Sequence, residues 1–224
     1  MSLWKWLSKE LRRRMGMSEL THATVLVVRH GATSFNHPGD KERDRLKGTR
    51  YDLPLTDKGQ EEAKSIGKRI AEDYKVASLQ HSPMRRAQQT ASHISQMTGI
   101  ESKPLDGLDP LDVGFLSGWP REKAKGLLQY YISNPHKIIR DGQSFGEWYE
   151  EWERTLIAAM RKAERDKSGA HVLVSHSCNA ANIPSILKGG EPEYYGPDSA
   201  PPASVARLRK MAGKWRMDTP YEGD

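Results

Sequence analysis

The feature that most constrains the fold is a pair of short apolar runs, each of which ends in a histidine. Residues 24–29 read Thr-Val-Leu-Val-Val-Arg and precede His30, and residues 170–175 read Ala-His-Val-Leu-Val-Ser and precede His176. A continuous apolar run, rather than an alternating one, is typical of a strand buried on both faces of a parallel sheet. The two runs therefore predict two central strands of one sheet.

Helix signals lie between and after these runs. Thr56 or Asp57 is in position to cap a helix, and Ser82 followed by Pro83 is a common start for another. Apolar residues follow both starts at helical spacing: Ala63, Ile66, Ile70 and Tyr74 in the first, and Ala87, Ala91, Ile94 and Met97 in the second. We predict further helices at residues 121–133, 144–167 and 179–187, and further strands at 76–80, 203–209 and 213–217. Strands that alternate with helices predict an α/β fold, a three-layer α/β/α sandwich around a mostly parallel central sheet.

Length and composition limit the class of protein. A chain of 224 residues is long enough for one large domain or two small ones. No apolar run approaches the roughly 18 residues that a membrane span needs, so we expect no integral membrane segment. The single cysteine, Cys178, cannot form an internal disulfide, which excludes a secreted disulfide scaffold and a cysteine-rich zinc module. We expect a cytoplasmic location.

The positive charge is concentrated at the N-terminus. A net charge of +4, out of +6 for the chain, lies in residues 1–16, which contain one glutamate and five basic residues: Lys5, Lys9, Arg12, Arg13 and Arg14. The remainder is almost neutral, which argues against a nucleic-acid partner. We predict a basic, tryptophan-containing extension over residues 1–20 and a single domain over residues 21–224.

Two interpretations of the N-terminal extension remain open. Trp4, Leu7 and Leu11 fall at helical spacing among basic residues, which would suit a short helix at a membrane surface. The alternative is a frayed or artefactual extension, since Met17 would serve equally well as the start of the domain.

Both strand-end histidines are expected at the same edge of the sheet. Ligands of open α/β sheets bind at the carboxyl ends of the strands, which is where His30 and His176 are predicted to lie. One such histidine is commonly structural. Two of them, with Arg29 beside one and Arg86 in the helix after a third strand, predict a binding or catalytic site.

Four motifs along the chain resemble a known family. Arg-His-Gly at 29–31, followed by Thr33 and Asn36, is the first, and the segment 52–63 is the second. The third, over residues 82–91, begins Ser-Pro-Met-Arg-Arg-Ala, and the fourth is the strand that ends in the second histidine. Together they resemble the histidine phosphatase superfamily, also called phosphoglycerate mutase-like, over roughly residues 24–215.

The resemblance implies a fold, a reaction and a set of site residues. His30 would attack phosphorus and form a phosphohistidine, which water would then hydrolyse. The transferred phosphoryl group needs cationic and N–H donors, which Arg29, Arg86 and His176 would supply, with Asn36 and the backbone N–H of Ser177. The substrate would be a small phosphorylated molecule, and neither a metal nor another cofactor is implied.

The sequence departs from the family pattern where the general acid is expected. The glutamate that usually precedes a glycine by four residues is replaced by Pro110, counting back from Gly114. Asp109 is our preferred candidate and Asp112 is the alternative, although turn-rich loops also favour aspartate. Gln143 stands where many members have glutamate. Lys47 is either near the substrate or an ordinary solvated lysine.

Three functions from different classes fit the sequence. The preferred one is a metal-independent phosphatase that hydrolyses a phosphate monoester. A phosphoglycerate mutase-type phosphotransferase is the second, and its members tend to be longer and to carry additional substrate-binding segments. The third is a non-catalytic module that binds a phosphorylated ligand, which the irregular position of the acid would favour.

Overall fold

The computed structural model describes residues 22–36, 45–191 and 200–221. The predicted N-terminal extension and both interpretations of it lie outside the described residues. No helix within the described ranges is both long and apolar enough to cross a membrane.

A six-stranded sheet forms the centre of the protein. Its strands, in the order of the chain, are β1 (Thr24–Arg29), β2 (Val76–His81), β3 (Ser102–Pro104), β4 (Ala170–Ser175), β5 (Val205–Met211) and β6 (Lys214–Tyr221). The order across the sheet is β3-β2-β4-β1-β5-β6. β1, β2, β3 and β4 are mutually parallel, while β5 and β6 form an antiparallel hairpin beside β1. The prediction of a mostly parallel sheet is confirmed.

Helices cover both faces of the sheet and complete the predicted three-layer sandwich. They are α1 (Asp57–Asp73), α2 (Arg85–Thr98), α3 (Arg121–Ser133), α4 (Phe145–Arg165) and α5 (Ser177–Lys188). Alternate residues of β1 belong to opposite cores: Leu26 and Val28 pack with α1 and α2, whereas Val25 and Val27 pack with α3, α4 and α5. This explains why the sequence of β1 is apolar throughout.

The start of α2 differs from the prediction. The helix begins at Arg85 with Met84 as its N-cap, and no side chain caps it. The hydroxyl of Ser82 instead contacts side chains at the carboxyl edge of the sheet. The predicted apolar stripe of this helix is also wrong at its end, because Met97 is 45% exposed.

Two glycines bring the end of β1 against the start of α1. A Cβ on Gly59 would lie 2.0 Å from the carbonyl oxygen of Ala32, and a Cβ on Gly31 would lie 2.4 Å from the carbonyl oxygen of Gly59. The backbone N–H of Thr56, the N-cap of α1, donates to the same Ala32 oxygen at 2.9 Å. Only because both residues are glycine can the backbone that follows His30 lie this close to the start of α1.

Candidate active site

His30 lies directly after β1, buried at the carboxyl edge of the sheet. Its backbone N–H donates to the carbonyl of Ser175 at 3.0 Å, which joins the ends of β1 and β4. Its Nδ1 lies 2.7 Å from the carbonyl oxygen of Gly31. Because a carbonyl oxygen only accepts hydrogen bonds, Nδ1 must carry the ring proton. The other ring nitrogen, Nε2, therefore holds a lone pair.

The environment of His30 keeps this lone pair free of a proton. Burial lowers the pKa of His30 well below its usual value, and the positive charges of Arg86 and Arg29 lower it further. The Nε–H of Arg86 donates to Nε2 at 3.2 Å. A buried, neutral imidazole with its lone pair against a guanidinium has the properties of a nucleophile placed beside an anion-binding group.

His176 is the N-cap of α5 and faces His30, with 5.1 Å between the ring centroids. Burial and the charge of Arg86 lower the pKa of His176 well below its usual value. Its Nδ1 is buried and has no hydrogen-bond partner among the described residues. The backbone of Ser177 begins α5, so the positive end of a helix lies beside the two imidazoles, a common arrangement for anion binding.

The hydroxyl of Ser82 connects His176 to Asp109. Its Oγ lies 2.9 Å from Nε2 of His176 and 2.5 Å from Oδ1 of Asp109, and it also accepts the backbone N–H of Met84 at 3.2 Å. Asp109 is half-buried, and burial raises the pKa of its carboxyl group even though the Ser82 hydrogen bond opposes the shift. The Ser82 hydroxyl therefore bridges the histidine pair and a carboxyl group whose pKa is higher than usual.

Arg86 links the histidines to the segment over residues 48–51. Besides contacting His30, its guanidinium donates to the carbonyl oxygens of Tyr51 at 3.0 Å and Gly48 at 3.5 Å. Burial lowers the pKa of Arg86 to about 10, so the group stays charged at neutral pH. Arg29 is also buried and donates to the carbonyl of Ala200. Two guanidinium groups thus lie in the immediate surroundings of the nucleophile candidate.

Lys47 is part of this basic site rather than an ordinary solvated lysine. It is half-buried, and its Nζ lies 5.5 Å from the centre of the Phe35 ring. Burial, followed by the charges of Arg29, Arg86 and Arg121, lowers its pKa to about 6. Such a shift shows how strongly positive the site is when no anion occupies it.

The family comparison agrees with this geometry. The sequence profile described as "Histidine phosphatase superfamily (branch 1)" matches residues 25–222. The chain belongs to the histidine phosphatase superfamily. The match runs from the second residue of β1 to beyond the end of β6 and includes every side chain described above.

Individual relatives of this member of the superfamily are distant but cover most of its length. "Phosphoglycerate mutase-like protein 4" of Arabidopsis thaliana is 26% identical over 209 residues, which is 91% of this chain and 87% of the relative. "Uncharacterized phosphatase PhoE" of Bacillus subtilis is 24% identical over 194 residues, 86% of this chain and 91% of the relative. The names of these two relatives thus include both a phosphatase and a mutase-like protein.

Solved structures show the same fold. A mycobacterial glucosyl-3-phosphoglycerate phosphatase in complex with VO3 superposes with a TM-score of 0.69 at 21% identity, over 90% of this chain and 99% of the other. A phosphoserine phosphatase mutant from Entamoeba histolytica, in complex with phosphoserine, gives 0.69 at 19% identity, over 90% and 96% of the two chains. At these identities the likeness is one of fold.

The structure brings together most of the residues singled out from the sequence. His30, Arg29, Arg86, His176 and Asp109 surround one site, and the N-terminus of α5 at Ser177 lies beside it. Asn36 ends a short 3-10 helix over Ser34–Asn36, but its side chain lies outside the described part of the structure.

Asp112, the alternative candidate for the acid, makes a different contact from Asp109. Asp112 accepts the backbone N–H of Gly114 at 3.0 Å, which is the role of a turn aspartate. A cavity of about 380 Å³ opens there, and its lining includes Asp109, Asp112, Gln143, Glu147 and Glu151. This acidic lining is unsuited to an anionic ligand, whereas the histidine side of Asp109 contains the guanidinium groups of Arg29 and Arg86.

Three further side chains at this edge of the sheet, those of Ser82, His81 and Arg121, were not predicted as site residues from the sequence. Ser82 has the pattern of a helix cap because Ser-Pro is such a common helix start, and only the three-dimensional structure shows its contacts with Asp109 and His176. His81 is a third buried strand-end histidine, with Nδ1 2.8 Å from the carbonyl oxygen of Ser82. Arg121 lies close enough to Lys47 to lower its pKa. Of these three residues, only His81 could have been found from the sequence, because it ends the strand β2 as His30 and His176 follow theirs.

Proposed function

We propose that this protein is a phosphatase that hydrolyses a phosphate monoester through a phosphohistidine on His30. The observation that carries the proposal is the state of His30: Nδ1 is held by the Gly31 carbonyl, so that Nε2 keeps its lone pair at the centre of the basic site. Histidine nucleophiles form covalent intermediates that divide one difficult displacement into two easier ones.

The charges around His30 suit a phosphoryl group. Arg29 and Arg86 supply guanidinium donors, which match phosphate oxygens in geometry and charge. A bound dianion would also raise the depressed pKa of His176, because a neighbouring negative charge favours the protonated imidazole. Nδ1 of His176 would then become a donor to a phosphoryl oxygen and gain the partner that it otherwise lacks among the described residues.

Asp109 is our choice for the general acid. In the first step, Nε2 of His30 forms a bond to phosphorus while the ester oxygen departs with the bonding electrons and takes the proton of Asp109. The raised pKa of Asp109 favours the protonated form that this step requires. In the second step, water attacks phosphorus, Asp109 accepts a proton from the water, and His30 is released together with inorganic phosphate.

The decisive experiment is the substitution His30→Ala. We expect loss of p-nitrophenyl phosphate hydrolysis and loss of acid-labile radiolabelled phosphate on the protein after rapid quenching at alkaline pH. His136→Ala removes an exposed histidine and is the matched control, which should keep both signals. Turnover by His30→Ala close to that of the unmodified protein would refute the mechanism. Activity should also survive EDTA, since the proposed steps use only protein side chains and water.

A phosphoglycerate mutase-type transfer is the second candidate, because relatives carry that name. Both reactions share the phosphohistidine and differ in which molecule accepts the phosphoryl group. Analysis of the products distinguishes the two reactions. Release of inorganic phosphate in an amount equal to that of the alcohol indicates hydrolysis, whereas formation of an isomeric phosphate ester without release of phosphate indicates transfer.

A further inference from the structure

Two buried side chains donate hydrogen bonds to the backbone carbonyl of Asp109. The indole Nε1 of Trp148 lies 3.0 Å from this oxygen, and the amide Nδ2 of Asn179 lies 3.3 Å from it. Trp148 belongs to α4 and Asn179 to α5, and both side chains are buried. The candidate for the acid is therefore held from two different helices, and neither of these bonds involves its carboxyl group.

The residues on either side of Asp109 restrict the same stretch of backbone. The carbonyl of Leu108 accepts a hydrogen bond from the hydroxyl of Ser175 at 2.7 Å, and both residues are fully buried. Pro110 follows directly, and a proline disfavours helical backbone in the residue before it. The backbone that carries the Asp109 side chain therefore has little freedom to move.

These contacts fix the loop relative to His176. Ser175 ends β4 and immediately precedes His176, and Asn179 lies in the first turn of α5, the helix that His176 caps. Two of the donors that hold residues 108 and 109 thus come from the segment that carries the second histidine. A movement of the loop away from the histidine pair would break these hydrogen bonds.

The location of Asp109 in the sequence explains why its backbone needs this support. Asp109 stands one residue before Pro110, which occupies the place of the expected glutamate, and the aspartate side chain is one methylene shorter. A general acid must lie within hydrogen-bond distance of the oxygen that it protonates. A displacement of about 1 Å can lower the rate of such a step by about a hundredfold. Because the aspartate side chain is short, the reach of its carboxyl group depends on the position of its backbone.

We infer that Trp148 and Asn179 are positioning residues for the acid, which hold the carbonyl of Asp109 so that its carboxyl group reaches the leaving oxygen of the ester. The inference rests on the proposed function, in which Asp109 protonates that oxygen. It gives this pair a different task from that of Ser82, because Ser82 contacts the carboxyl group and the pair contacts only the backbone.

The substitution Trp148→Phe tests the inference, because it removes the indole N–H and keeps an aromatic ring. We expect kcat on an alkyl phosphate such as glycerol 3-phosphate to fall by about ten- to a hundredfold. The kcat on p-nitrophenyl phosphate should fall far less, because its leaving group does not need the proton. Equal losses on the two esters would show a general structural effect and would overturn the inference.

Trp152→Phe is the matched control. Trp152 lies about one turn further along α4, is fully buried, and has no hydrogen-bond partner for its Nε1 among the described residues. The control removes the same N–H group from the same helix without removing a hydrogen bond to Asp109. It should leave the ratio of the two rates unchanged, and a change as large as that in Trp148→Phe would contradict the assignment.

Asn179→Ala should lower the same ratio of rates, and should lower it further in combination with Trp148→Phe. Asn182→Ala is the control for this substitution, because the buried amide of Asn182 donates to the carbonyl of Cys178 in the same helix at 2.9 Å. If both asparagine variants change the ratio alike, Asn179 has no particular role in holding the acid.

A double-mutant cycle shows whether the pair acts through Asp109. In the Asp109→Asn background the acid is already absent, so the addition of Trp148→Phe should leave kcat on the alkyl ester unchanged. Independent effects would instead add, and additive losses would overturn the inference.

The same variants separate this inference from the proposed function. If Asp109→Asn shows no dependence on the leaving group, the acid step of the proposed function fails and the inference fails with it. If Asp109→Asn shows that dependence and Trp148→Phe does not, only the inference fails.

Discussion

At the scale of single residues, the position of Asp109 distinguishes it from Asp112. Asp109 contacts Ser82 and through it His176, whereas Asp112 is held by the backbone of Gly114. An alkyl ester needs a proton on its leaving oxygen, while p-nitrophenolate is stable without one. We therefore expect Asp109→Asn to lower kcat by about 10²–10⁴-fold with an alkyl phosphate and far less with p-nitrophenyl phosphate. Asp112→Asn should show no such dependence on the leaving group, and the reverse pattern would assign the acid to Asp112.

Ser82 is expected to act through Asp109. Its hydrogen bond lowers the pKa of the Asp109 carboxyl, against the effect of burial, so Ser82→Ala should raise that pKa further. We expect the pH–rate profile on an alkyl phosphate to move to higher pH, with a loss of up to about a hundredfold in kcat at the optimum. Ser82→Thr keeps the hydroxyl and should restore most of the profile. A loss of rate without any movement of the profile would indicate a structural role alone.

A site residue can be predicted from the sequence when the pattern that marks it lies in the neighbouring residues. His30 and His176 end recognisable apolar runs, so their place at the sheet edge is predictable from the amino-acid sequence alone. Ser82 gives no such signal, because its hydrogen-bond partners Asp109 and His176 are distant in the chain. Hydrogen bonds across the edge of a sheet leave no periodicity in the sequence.

At the scale of elements, the contact between β1 and α1 depends on glycine. A methyl group at residue 59 would collide with the Ala32 backbone, and the clash would displace the segment that follows His30. We expect Gly59→Ala to reduce the free energy of unfolding by about 1–3 kcal/mol, as overpacking typically does, and to lower activity as well.

Gly126→Ala is the control for this substitution. Gly126 lies within α3, and a Cβ built there meets nothing within 4 Å. This variant should gain about 0.5–1 kcal/mol from the better helix propensity of alanine. Denaturant unfolding measures both effects, and equal stability of the two variants would show that the β1–α1 contact is more compliant than its geometry implies.

Element prediction succeeds where one physical signal dominates. The strands at 24–29 and 170–175 are buried over their whole length, and the structure reproduces their predicted bounds. β3 is missed because its three residues, Ser-Lys-Pro, carry no apolar pattern and pair only at the sheet edge. The start of α2 is misplaced because the local Ser-Pro signal competes with the tertiary contacts of Ser82.

At the scale of the whole molecule, the basic site makes stability depend on pH. His30 and His176 remain neutral when folded, but become protonated in the unfolded chain below their usual pKa of 6.5. The unfolded state then binds more protons, so stability falls as the pH decreases through this value, by up to about 1.4 kcal/mol per pH unit for each group. Lys47 also lowers stability on acidification, because above its folded-state pKa of about 6 it is neutral in the folded protein and protonated in the unfolded chain. Asp109, whose pKa is raised, opposes this slope.

We expect Tm to decrease on acidification between about pH 8 and pH 5.5, and inorganic phosphate to reduce this dependence. An anion in the site favours the protonated forms of both histidines and of Lys47, which removes much of the difference between the folded and unfolded states. His30→Gln should also flatten the curve, because the replacement does not titrate. If Tm depends on pH in the same way in His30→Gln and in the unmodified protein, the dependence does not come from His30.

The order of the strands has a consequence for the synthesis of the protein. β4 lies between β1 and β2, although it is made long after both of them. A nascent chain that has emerged as far as α4 already contains His30 and Arg86, but the strand that holds their two elements side by side is still missing. A chain that ends before residue 170 therefore lacks both the strand between β1 and β2 and the second histidine, and we expect the site to assemble only after residues 170–176 enter the sheet.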